Sequence, residues 1–167
     1  MAYIKLYRLK NHLISEVETA AIISQLLEKH GDGFVKVYKP KEIIEDTARY
    51  YLAILFDLPK MKIIPVGCFA IDRTKEPALL KSVVVHKDYR GIGIGKKLIE
   101  IATRYGLYER NKVKAYVKKN NKIMQKILEN LGYIKKEEKE DCYKYIIDKH
   151  IIHREIINHL SKIKIPI

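Results

Sequence analysis

Cysteine is scarce in this sequence. The 167 residues include two cysteines, Cys68 and Cys142, which lie far apart and form no C-x-x-C pattern. Small secreted domains that depend on disulfides contain many more cysteines and fold in oxidising compartments. The sequence therefore predicts a reducing, cytoplasmic environment and argues against a disulfide scaffold.

Long apolar runs are also missing. No stretch approaches the roughly 20 apolar residues that a helix needs to cross a bilayer. The N-terminal segment MAYIKLYRLK is charged from Lys5 onward and has no apolar signal-peptide core. We therefore expect no secretion signal and no membrane partner.

Internal repeats and low-complexity linkers are absent as well, so nothing in the sequence divides the chain. With 47% hydrophobic residues over 167 positions, the chain is long and apolar enough to bury one core. We expect a single domain that covers residues 1–167.

Acidic residues are outnumbered by basic ones. The counts are 20 Asp and Glu against 33 Lys and Arg, which leaves a formal charge of +13. This excess favours an anionic partner, such as a phosphate-rich cofactor, nucleic acid, an acidic protein surface or a membrane face, although solvation by lysine explains it equally well. The tyrosines are scattered and form no nucleic-acid stacking motif, so no motif supports a nucleic-acid partner.

Hydrophobic periodicity predicts the element order β-α-α-β-β-β-α-β-α-β-β-α. The predicted strands cover 3–9, 51–57, 62–72, 78–85, 112–117, 133–136 and 142–148. The predicted helices are one from a Ser15–Glu18 capping box to Gly31 and Gly33, then 41–50, 93–110, one capped by Asn120 or Asn121 that ends at Gly132, and 149–162. This order favours a mixed α/β sheet that is antiparallel early and locally parallel around the central helix.

A glycine-rich passage links the strand 78–85 to the helix 93–110. It contains Gly91, Gly93 and Gly95, with Arg90 before them and Lys96 after them. Glycines allow backbone N–H groups to approach a ligand closely, and a helix N-terminus presents unpaired donors with partial positive charge. The passage therefore predicts an anion site suited to a pyrophosphate.

Spacing distinguishes this loop from two other phosphate-binding motifs. A P-loop, G-x-x-x-x-G-K-[ST], would need glycine at Arg90 and Ser or Thr at Lys97. A dinucleotide fingerprint, G-x-G-x-x-G from Gly91, would need a third glycine at Lys96. Both patterns fail, and the remaining alternative is a glycine-rich helix start without a ligand.

The loop resembles that of the GCN5-related N-acetyltransferase (GNAT) superfamily, whose motif is [QR]-x-x-G-x-[GA] after a strand. Arg90, Gly93 and Gly95 match this motif, whereas Lys87 stands where the family has proline. A second family motif, N-x-x-A-x-x-x-Y-x-x-x-G-F, is similar to residues 121–133. Asn121 and Gly132 match it there.

The resemblance implies an α/β, single-domain GNAT-like fold. Its sheet would be mixed, mostly antiparallel and twisted, with a central splayed parallel strand pair between 78–85 and 112–117, flanked by helices. The motif core would cover about 51–148, followed by a C-terminal helix of about 149–162.

The resemblance also implies the activity and the cofactor. A GNAT enzyme transfers an acetyl group from acetyl-CoA to a primary amine by direct attack in a ternary complex, without a metal. The residues implied to contact acetyl-CoA are Val83, Val84, Val85, Arg90, Gly91, Ile92, Gly93, Ile94, Gly95, Lys96 and Asn121. For Asn121, a helix N-cap is an equal alternative.

The proton-transfer groups are left open. Leu128 stands where many GNAT members have a tyrosine acid, and leucine has no proton to donate. The candidates are Tyr133, Tyr143 and Tyr145 for the acid and Glu76, Asp72 and His86 for the base. Solvent is the alternative for both steps, and a non-catalytic module that senses acyl-CoA or docks on nucleic acid is the alternative function.

The C-terminal segment carries two further features. His150 and His153 are spaced i, i+3, but no C-x-x-C or H-E-x-x-H pattern accompanies them, so we predict no metal site. The alternating tail 162–167 favours packing on the last helix or a contact within a homodimer.

Overall fold

The computed structural model describes residues 2–10 and 15–150. The strands are β1 (Ala2–Arg8), β2 (Arg49–Asp57), β3 (Lys62–Asp72), β4 (Ala78–Val85), β5 (Lys112–Lys118), β6 (Ile134–Glu138) and β7 (Cys142–Asp148). The helices are α1 (Glu16–His30), α2 (Pro40–Glu45), α3 (Ile94–Glu109) and α4 (Lys122–Asn130). The mixed α/β prediction is confirmed. The predicted last helix, with His153 and the tail 162–167, lies almost entirely outside the described residues.

The strands form a seven-stranded sheet in the order β1-β2-β3-β4-β5-β7-β6. β1 pairs antiparallel with β2, and β7 pairs antiparallel with both β5 and β6. β4 and β5 form the parallel pair, in which Ala78–Leu80 face Val113–Ala115. The predicted sheet, mostly antiparallel with one central parallel pair, is confirmed.

Packing divides the described chain into two compact units. The first unit holds the described residues up to 70 together with 82–98. The apolar stripe of α1, including Ile23 and Leu27, is buried there with Ile43 of α2 and with Tyr50 and Leu52 of β2. The anion loop 90–96 belongs entirely to this unit.

The second unit holds 71–81 and the described residues from 99 onward. Its buried side chains include Val113 of β5, Leu128 of α4, and Tyr145 and Ile147 of β7. The single-domain expectation stays a prediction.

The predicted helix over 41–50 is wrong beyond Glu45. The Asp46 side chain accepts a hydrogen bond from the backbone N–H of Ala48 at 3.0 Å, which closes a local turn and competes with a further helical turn. Arg49 then begins β2, and Tyr50 is fully buried. Burial of Tyr50 in the sheet therefore sets the start of β2, and helical periodicity in the sequence does not indicate this start.

The first helix begins where the sequence predicts it, but its cap differs. Ser15 lies at the N-cap, yet its side chain makes no capping hydrogen bond. Instead, the hydroxyl of Thr19 donates to the Ser15 carbonyl at 3.0 Å. The capping-box pattern therefore locates the helix start without its usual hydrogen bond.

The described residues lack two features. Within 2–10 and 15–150, no helix combines the length and the apolar character needed to cross a bilayer. The same residues contain no group of three or more His, Cys, Asp or Glu side chains arranged to hold a metal ion.

Gly106 permits a close approach between α3 and β5 in the second unit. A Cβ at this position would lie 2.5 Å from Val113 Cγ2 and 3.3 Å from Ile71 Cδ1. We therefore expect Gly106→Ala to lower the free energy of unfolding by about 1–3 kcal/mol through overpacking. Urea denaturation followed by circular dichroism measures this change.

Gly95→Ala is the matched control on the same helix. A Cβ at Gly95 would lie 3.4 Å from Val85 Cγ2, which is close to ordinary contact. Alanine is also the better helix former, so this variant should keep or slightly raise stability. Equal destabilisation by the two variants would show that crowding at Val113 is not the cause.

Candidate functional site

The C-terminal half of β4 lies tightly against β3. A Cβ at Gly67 of β3 would sit 2.7 Å from the Val84 carbonyl oxygen, so only glycine fits without a shift. Just beyond the strand, the His86 N–H donates to the Val66 carbonyl at 2.9 Å. Because successive peptide groups of a strand point to opposite sides, the N–H and C=O of Val83 and Val85 face away from β3.

Ser82 introduces an irregular backbone in the middle of β4. Its φ is +56°, a left-handed conformation that is uncommon for a residue other than glycine. The residue is buried, and its carbonyl accepts a hydrogen bond from the Cys68 thiol at 3.5 Å. Strain at a buried strand residue directly before Val83 marks this part of β4 as a candidate functional segment.

The loop after β4 exposes its glycines. Gly91 has a φ of +80° and Gly93 a φ of +90°, and a Cβ on either would meet nothing within 4 Å. Backbone conformation therefore requires glycine here, and the space beside both residues is open. Ile92 between them is 72% exposed, whereas Ile94 after them is buried and anchors the helix start.

The end of the loop is the N-terminus of α3. The Lys97 N–H donates to the Gly93 carbonyl at 3.0 Å, so Gly93 accepts the first hydrogen bond of the helix. The amides of Ile94 and Gly95 therefore have no carbonyl one turn earlier in the helix. Together with the helix dipole and the exposed lysines Lys96 and Lys97, this end of α3 favours an anion.

Arg90 ties the loop to two other elements of the first unit. Its Nε donates to the Val85 carbonyl at 3.0 Å, at the end of β4. Its Nη2 donates to the carbonyl of His30 at the end of α1, and its Nη1 pairs with the carboxylate of Asp32. The planar guanidinium thus orders the loop through hydrogen bonds to other groups of the protein.

The groups around this guanidinium form a charged cluster. The Arg90 hydrogen bond holds the pKa of Asp32 below its usual value, and Lys87 lies 3.5 Å from the same carboxylate. The ring centroids of His30 and His86 are 4.0 Å apart, and the Lys87 N–H donates to His30 Nδ1 at 3.3 Å. Burial, followed by the nearby His86, lowers the pKa of His30.

Asn121 lies in the second unit, at the start of α4. Its Oδ1 accepts a hydrogen bond from the Met124 N–H at 3.1 Å, so the side chain is the N-cap of this helix. The capping role is the one that its hydrogen bond supports. The implied contact with acetyl-CoA stays a prediction.

Comparison with known families agrees with the two sequence motifs. A sequence model of the acetyltransferase (GNAT) domain matches residues 47–135, more than half of the chain. The chain belongs to the GNAT acetyltransferase family. The matched range includes β2 to α4 and the whole loop 90–96.

Solved structures show that the GNAT fold extends over most of the chain. One is the NatC complex bound to Gag peptide and CoA, with a TM-score of 0.64, 20% identity, and coverage of 88% of this chain and 98% of that chain. The spermidine/spermine N-acetyltransferase SpeG from Vibrio cholerae, in mutant forms, has a TM-score of 0.66, 15% identity, and coverage of 93% and 97%. An acetyltransferase from Thermus thermophilus has a TM-score of 0.63, 16% identity, and coverage of 89% and 99%. No curated protein matches the chain in sequence.

The position that is often tyrosine in GNAT members is part of the core here. Leu128 is fully buried in the second unit. Tyr133 is also buried, and its hydroxyl lies 2.7 Å from the Thr103 hydroxyl. Burial raises the pKa of Tyr133, which makes the neutral phenol more stable but encloses its proton in the core.

The other two candidate acids lie on β7. Tyr145 is buried, and its hydroxyl donates to Glu129 at 2.8 Å. Burial first, and then this hydrogen bond, raise the pKa of Tyr145. Tyr143 is half-buried, and the Lys135 ammonium lies 3.8 Å from the centroid of its ring. The structure therefore gives each of these tyrosines a partner on its own unit.

The candidate bases also have local partners. Both carboxylate oxygens of Glu76 accept backbone N–H groups, from Asn111 at 3.2 Å and from Lys112 at 2.9 Å. His86 caps the short turn after β4, where its Nδ1 accepts the Asp88 N–H at 3.3 Å. Asp72 accepts hydrogen bonds from Thr74. These contacts favour local structural roles, and catalytic roles for these groups stay predictions.

Three residues that support the loop are not predicted by the sequence analysis: Asp32, His30 and Gly67. Asp32 lies between Gly31 and Gly33, and in the sequence these two glycines indicate only the end of a helix. Asp32 itself has a φ of +51°. His30 acts through its backbone carbonyl, and Gly67 acts by having no side chain. A single sequence shows no motif for either role.

The Asp32–Arg90 pair gives a pH-dependent prediction. Because the folded state lowers the pKa of Asp32, the stabilisation is present above the ordinary Asp value of about 4 and is lost as the pH falls through the folded value. We expect the unfolding midpoint of the wild type to fall more steeply between about pH 5 and pH 2 than that of Asp32→Asn.

Asp88→Asn is the control for this comparison. It removes a carboxylate from the same loop without removing the partner of Arg90. Thermal denaturation at a series of pH values measures all three proteins. If Asp32→Asn and Asp88→Asn have the same acid profile, the ion pair does not stabilise the loop.

Proposed function

We propose that the chain is an acetyl-CoA-dependent N-acetyltransferase that transfers an acetyl group to a primary amine. The attack is direct, in a ternary complex of protein, acetyl-CoA and amine. One observation carries the proposal: two exposed glycines at positive φ lead into the N-terminus of α3, and Arg90 holds this loop against α1 and β4. Membership of the GNAT acetyltransferase family supports acetyl transfer from acetyl-CoA as the reaction at this loop.

The loop would hold the pyrophosphate of acetyl-CoA. The contacts come from the backbone N–H groups of Gly91, Ile92, Gly93, Ile94, Gly95 and Lys96, with the ammonium groups of Lys96 and Lys97 nearby. Arg90 acts here as a brace, since its three nitrogens already donate within the protein. Charge-assisted hydrogen bonds to preorganised amides supply the affinity.

The edge of β4 that faces away from β3 would hold the pantetheine arm. The peptide groups of Val83 and Val85 point to that side, and Val84 points its carbonyl toward β3. The Val85 carbonyl already accepts Arg90, so the N–H groups and the Val83 carbonyl are the groups offered to the cofactor. An N–H on this edge would polarise the thioester carbonyl and stabilise the developing oxyanion.

Solvent would accept and supply the protons of the reaction. The amine attacks in its neutral form, the tetrahedral intermediate collapses, and the CoA thiolate leaves. A thiol has an ordinary pKa near 8.5, so the thiolate is a tolerable leaving group near neutral pH. The partners of Tyr133, Tyr145 and Glu76 support a mechanism that does not depend on any of them.

Two similar structures support the cofactor and the reaction class. The NatC complex was solved with CoA bound, and SpeG is an N-acetyltransferase. Their identity to this chain is low, so they leave the acceptor of this protein open.

The Gly93→Glu variant tests the pyrophosphate site. Its side chain places bulk and negative charge in the open space of the loop, on a backbone at φ +90°. We expect acetyl-CoA binding, measured by calorimetry, to weaken by about a hundredfold or more, which corresponds to about 2.7 kcal/mol.

Gly33→Glu is the matched control. Gly33 also has a positive φ, +72°, and open space beside it, so the charge change and the backbone cost are alike. This variant should retain most of the affinity for acetyl-CoA. Equal losses in the two variants would mean that the loop at Gly93 is not where the pyrophosphate binds.

Tyr133→Phe tests whether this tyrosine is the acid. We expect kcat to stay within about tenfold of the wild type, because loss of a true general acid costs about 100-fold or more. Stability should fall by about 1 kcal/mol as Thr103 loses its partner. Tyr145→Phe is the control at a second buried hydroxyl, and a selective loss of about 100-fold in kcat in Tyr133→Phe would establish it as the acid.

A further inference from the structure

The ring of His30 lies beside the turn that leads into the anion loop. His30 is the last residue of α1, and its ring centroid is 4.0 Å from that of His86, which directly follows β4. Its Nδ1 accepts a hydrogen bond from the Lys87 N–H at 3.3 Å. A histidine nitrogen accepts a hydrogen bond only when it carries no proton, and both nitrogens of an imidazolium are donors. This contact therefore requires the neutral ring.

His30 holds the same turn at a second point. Its backbone carbonyl accepts a hydrogen bond from Nη2 of Arg90. Between these two contacts, the Arg90 N–H donates to the Lys87 carbonyl at 3.3 Å and closes the turn. Gly91, the first glycine of the loop, follows Arg90 directly. His30 thus holds both ends of the turn from which the amides of the anion loop continue.

The groups that face His30 oppose its protonation. Burial is the largest cause that lowers the pKa of His30, followed by the nearby His86, Lys87 and Arg90, whereas Asp88 acts in the opposite direction. The ordinary pKa of a histidine is about 6.5. The neutral ring therefore predominates at neutral pH, and His30 takes up a proton only in the acid range below that value.

The other groups of this cluster have partners of their own. Nδ1 of His86 accepts the Asp88 N–H at 3.3 Å and lies 3.9 Å from the Asp88 carboxylate. The ring of Tyr89 meets that of His86 edge-on, with the centroids 5.4 Å apart. Asp32, two residues after His30 in the chain, is paired with Arg90. A proton on His30 would therefore add a positive charge beside a guanidinium that already holds the nearby carboxylate.

The donor to His30 stands at a position where this chain departs from the GNAT motif. Lys87 occupies the place where the motif has proline, and proline has no N–H to donate. The hydrogen bond to His30 thus depends on a residue that family membership does not imply. It is a feature of this chain.

We propose that His30 is a positioning residue of the cofactor site: its neutral imidazole holds the Lys87 amide and the turn before the anion loop, so that affinity for the cofactor falls when His30 takes up a proton. This inference rests on the proposed function, in which the loop binds the pyrophosphate of acetyl-CoA. Protonation would set Nδ1–H against the Lys87 N–H and would place an imidazolium beside the cations Lys87 and Arg90.

Protonation also has an effect of the opposite sign. A positive charge near the loop attracts the pyrophosphate, but an exposed charge pair in water shifts an equilibrium by only about fivefold or less. Loss of the hydrogen bond and repulsion between the cations disturb the loop itself, which has to be ordered before its amides can bind together. We therefore expect the loss of order to outweigh the added attraction.

The pH dependence of cofactor binding tests the inference. The ligand is dephospho-CoA, which keeps the pyrophosphate but lacks the 3′-phosphate, because a phosphate monoester titrates near pH 6 itself. We expect the Kd of the wild type, measured by calorimetry, to rise about tenfold from about pH 7.5 to about pH 5.5, near the upper end of what one hydrogen bond contributes. A Kd that is constant over this range, or that falls in acid, would overturn the inference.

His30→Asn separates the proton from the hydrogen bond. The asparagine oxygen can accept the Lys87 N–H from about the position of Nδ1, and it does not titrate. This variant should bind dephospho-CoA as the wild type does at about pH 7.5 and lose no more than about twofold at about pH 5.5. His150→Asn, at an exposed histidine of the second unit, is the control and should keep the wild-type profile. If His30→Asn keeps that profile too, His30 is not the group responsible.

Two substitutions of Lys87 test the donor. Lys87→Pro and Lys87→Ala both remove the ammonium group, but only proline removes the N–H. Proline suits this position, since Lys87 begins a short helical turn and His86 before it has a ψ of 133°, within the range that a residue before proline prefers. We expect the alanine variant to keep the acid loss of affinity and the proline variant to lose it. Identical profiles would show that the Lys87 N–H does not transmit the effect.

An NMR titration without ligand separates the inference from the proposed function. Between about pH 7.5 and about pH 5.5, the amide resonances of Lys87 and Gly91 should shift in the wild type and shift much less in His30→Asn. If Lys87 shifts and Gly91 does not, the proton on His30 does not reach the loop, and the inference is wrong. If acetyl-CoA and dephospho-CoA fail to bind at every pH, the proposed function is refuted, and the NMR result still decides whether His30 positions the loop.

Discussion

The guanidinium of Arg90 is the contact on which the candidate site depends. Its three donors reach the last carbonyl of β4, the last carbonyl of α1 and the Asp32 carboxylate. Ordering a loop costs conformational entropy, and this loop contains two glycines at positive φ whose backbone freedom raises that cost. By joining β4 to α1, Arg90 holds the amides after Gly91 in one direction before any ligand arrives, which is the preorganisation that anion binding requires.

The elements around this contact were predictable because their signals are local. Apolar alternation predicts the bounds of β4, Ala78–Val85, and the helix after the glycines begins at Ile94, one residue from the prediction. The predicted second helix extends too far, because the burial of Tyr50 depends on contacts with other strands and a local turn at Asp46 ends the helix. Periodicity cannot distinguish such a boundary when apolar residues continue through it.

The glycine-rich loop of the site was predictable from the sequence, but the residues that hold the loop and β4 in place were not. Glycine spacing indicated a pyrophosphate cradle, whereas Asp32 lies 58 positions away from Arg90 in sequence and meets it only in the fold. In the sequence, Gly67 is an ordinary glycine within a strand, and only the structure shows that the Val84 carbonyl leaves no room for a side chain there. The proton-transfer groups stay open for a physical reason: Leu128 is apolar, and the nearby tyrosines are engaged by Thr103 and Glu129.

The proposed function depends most on the backbone amides after Arg90, which would hold the pyrophosphate of acetyl-CoA. The most direct measurement is a titration of ¹⁵N-labelled protein with acetyl-CoA and, separately, with acetyl-pantetheine, which lacks the pyrophosphate. We expect acetyl-CoA to produce the largest amide shifts at Gly91, Gly93 and Gly95, and acetyl-pantetheine to leave these three resonances in place. Saturable binding of acetyl-CoA that does not move them, or no binding at about 1 mM, would refute this pyrophosphate site.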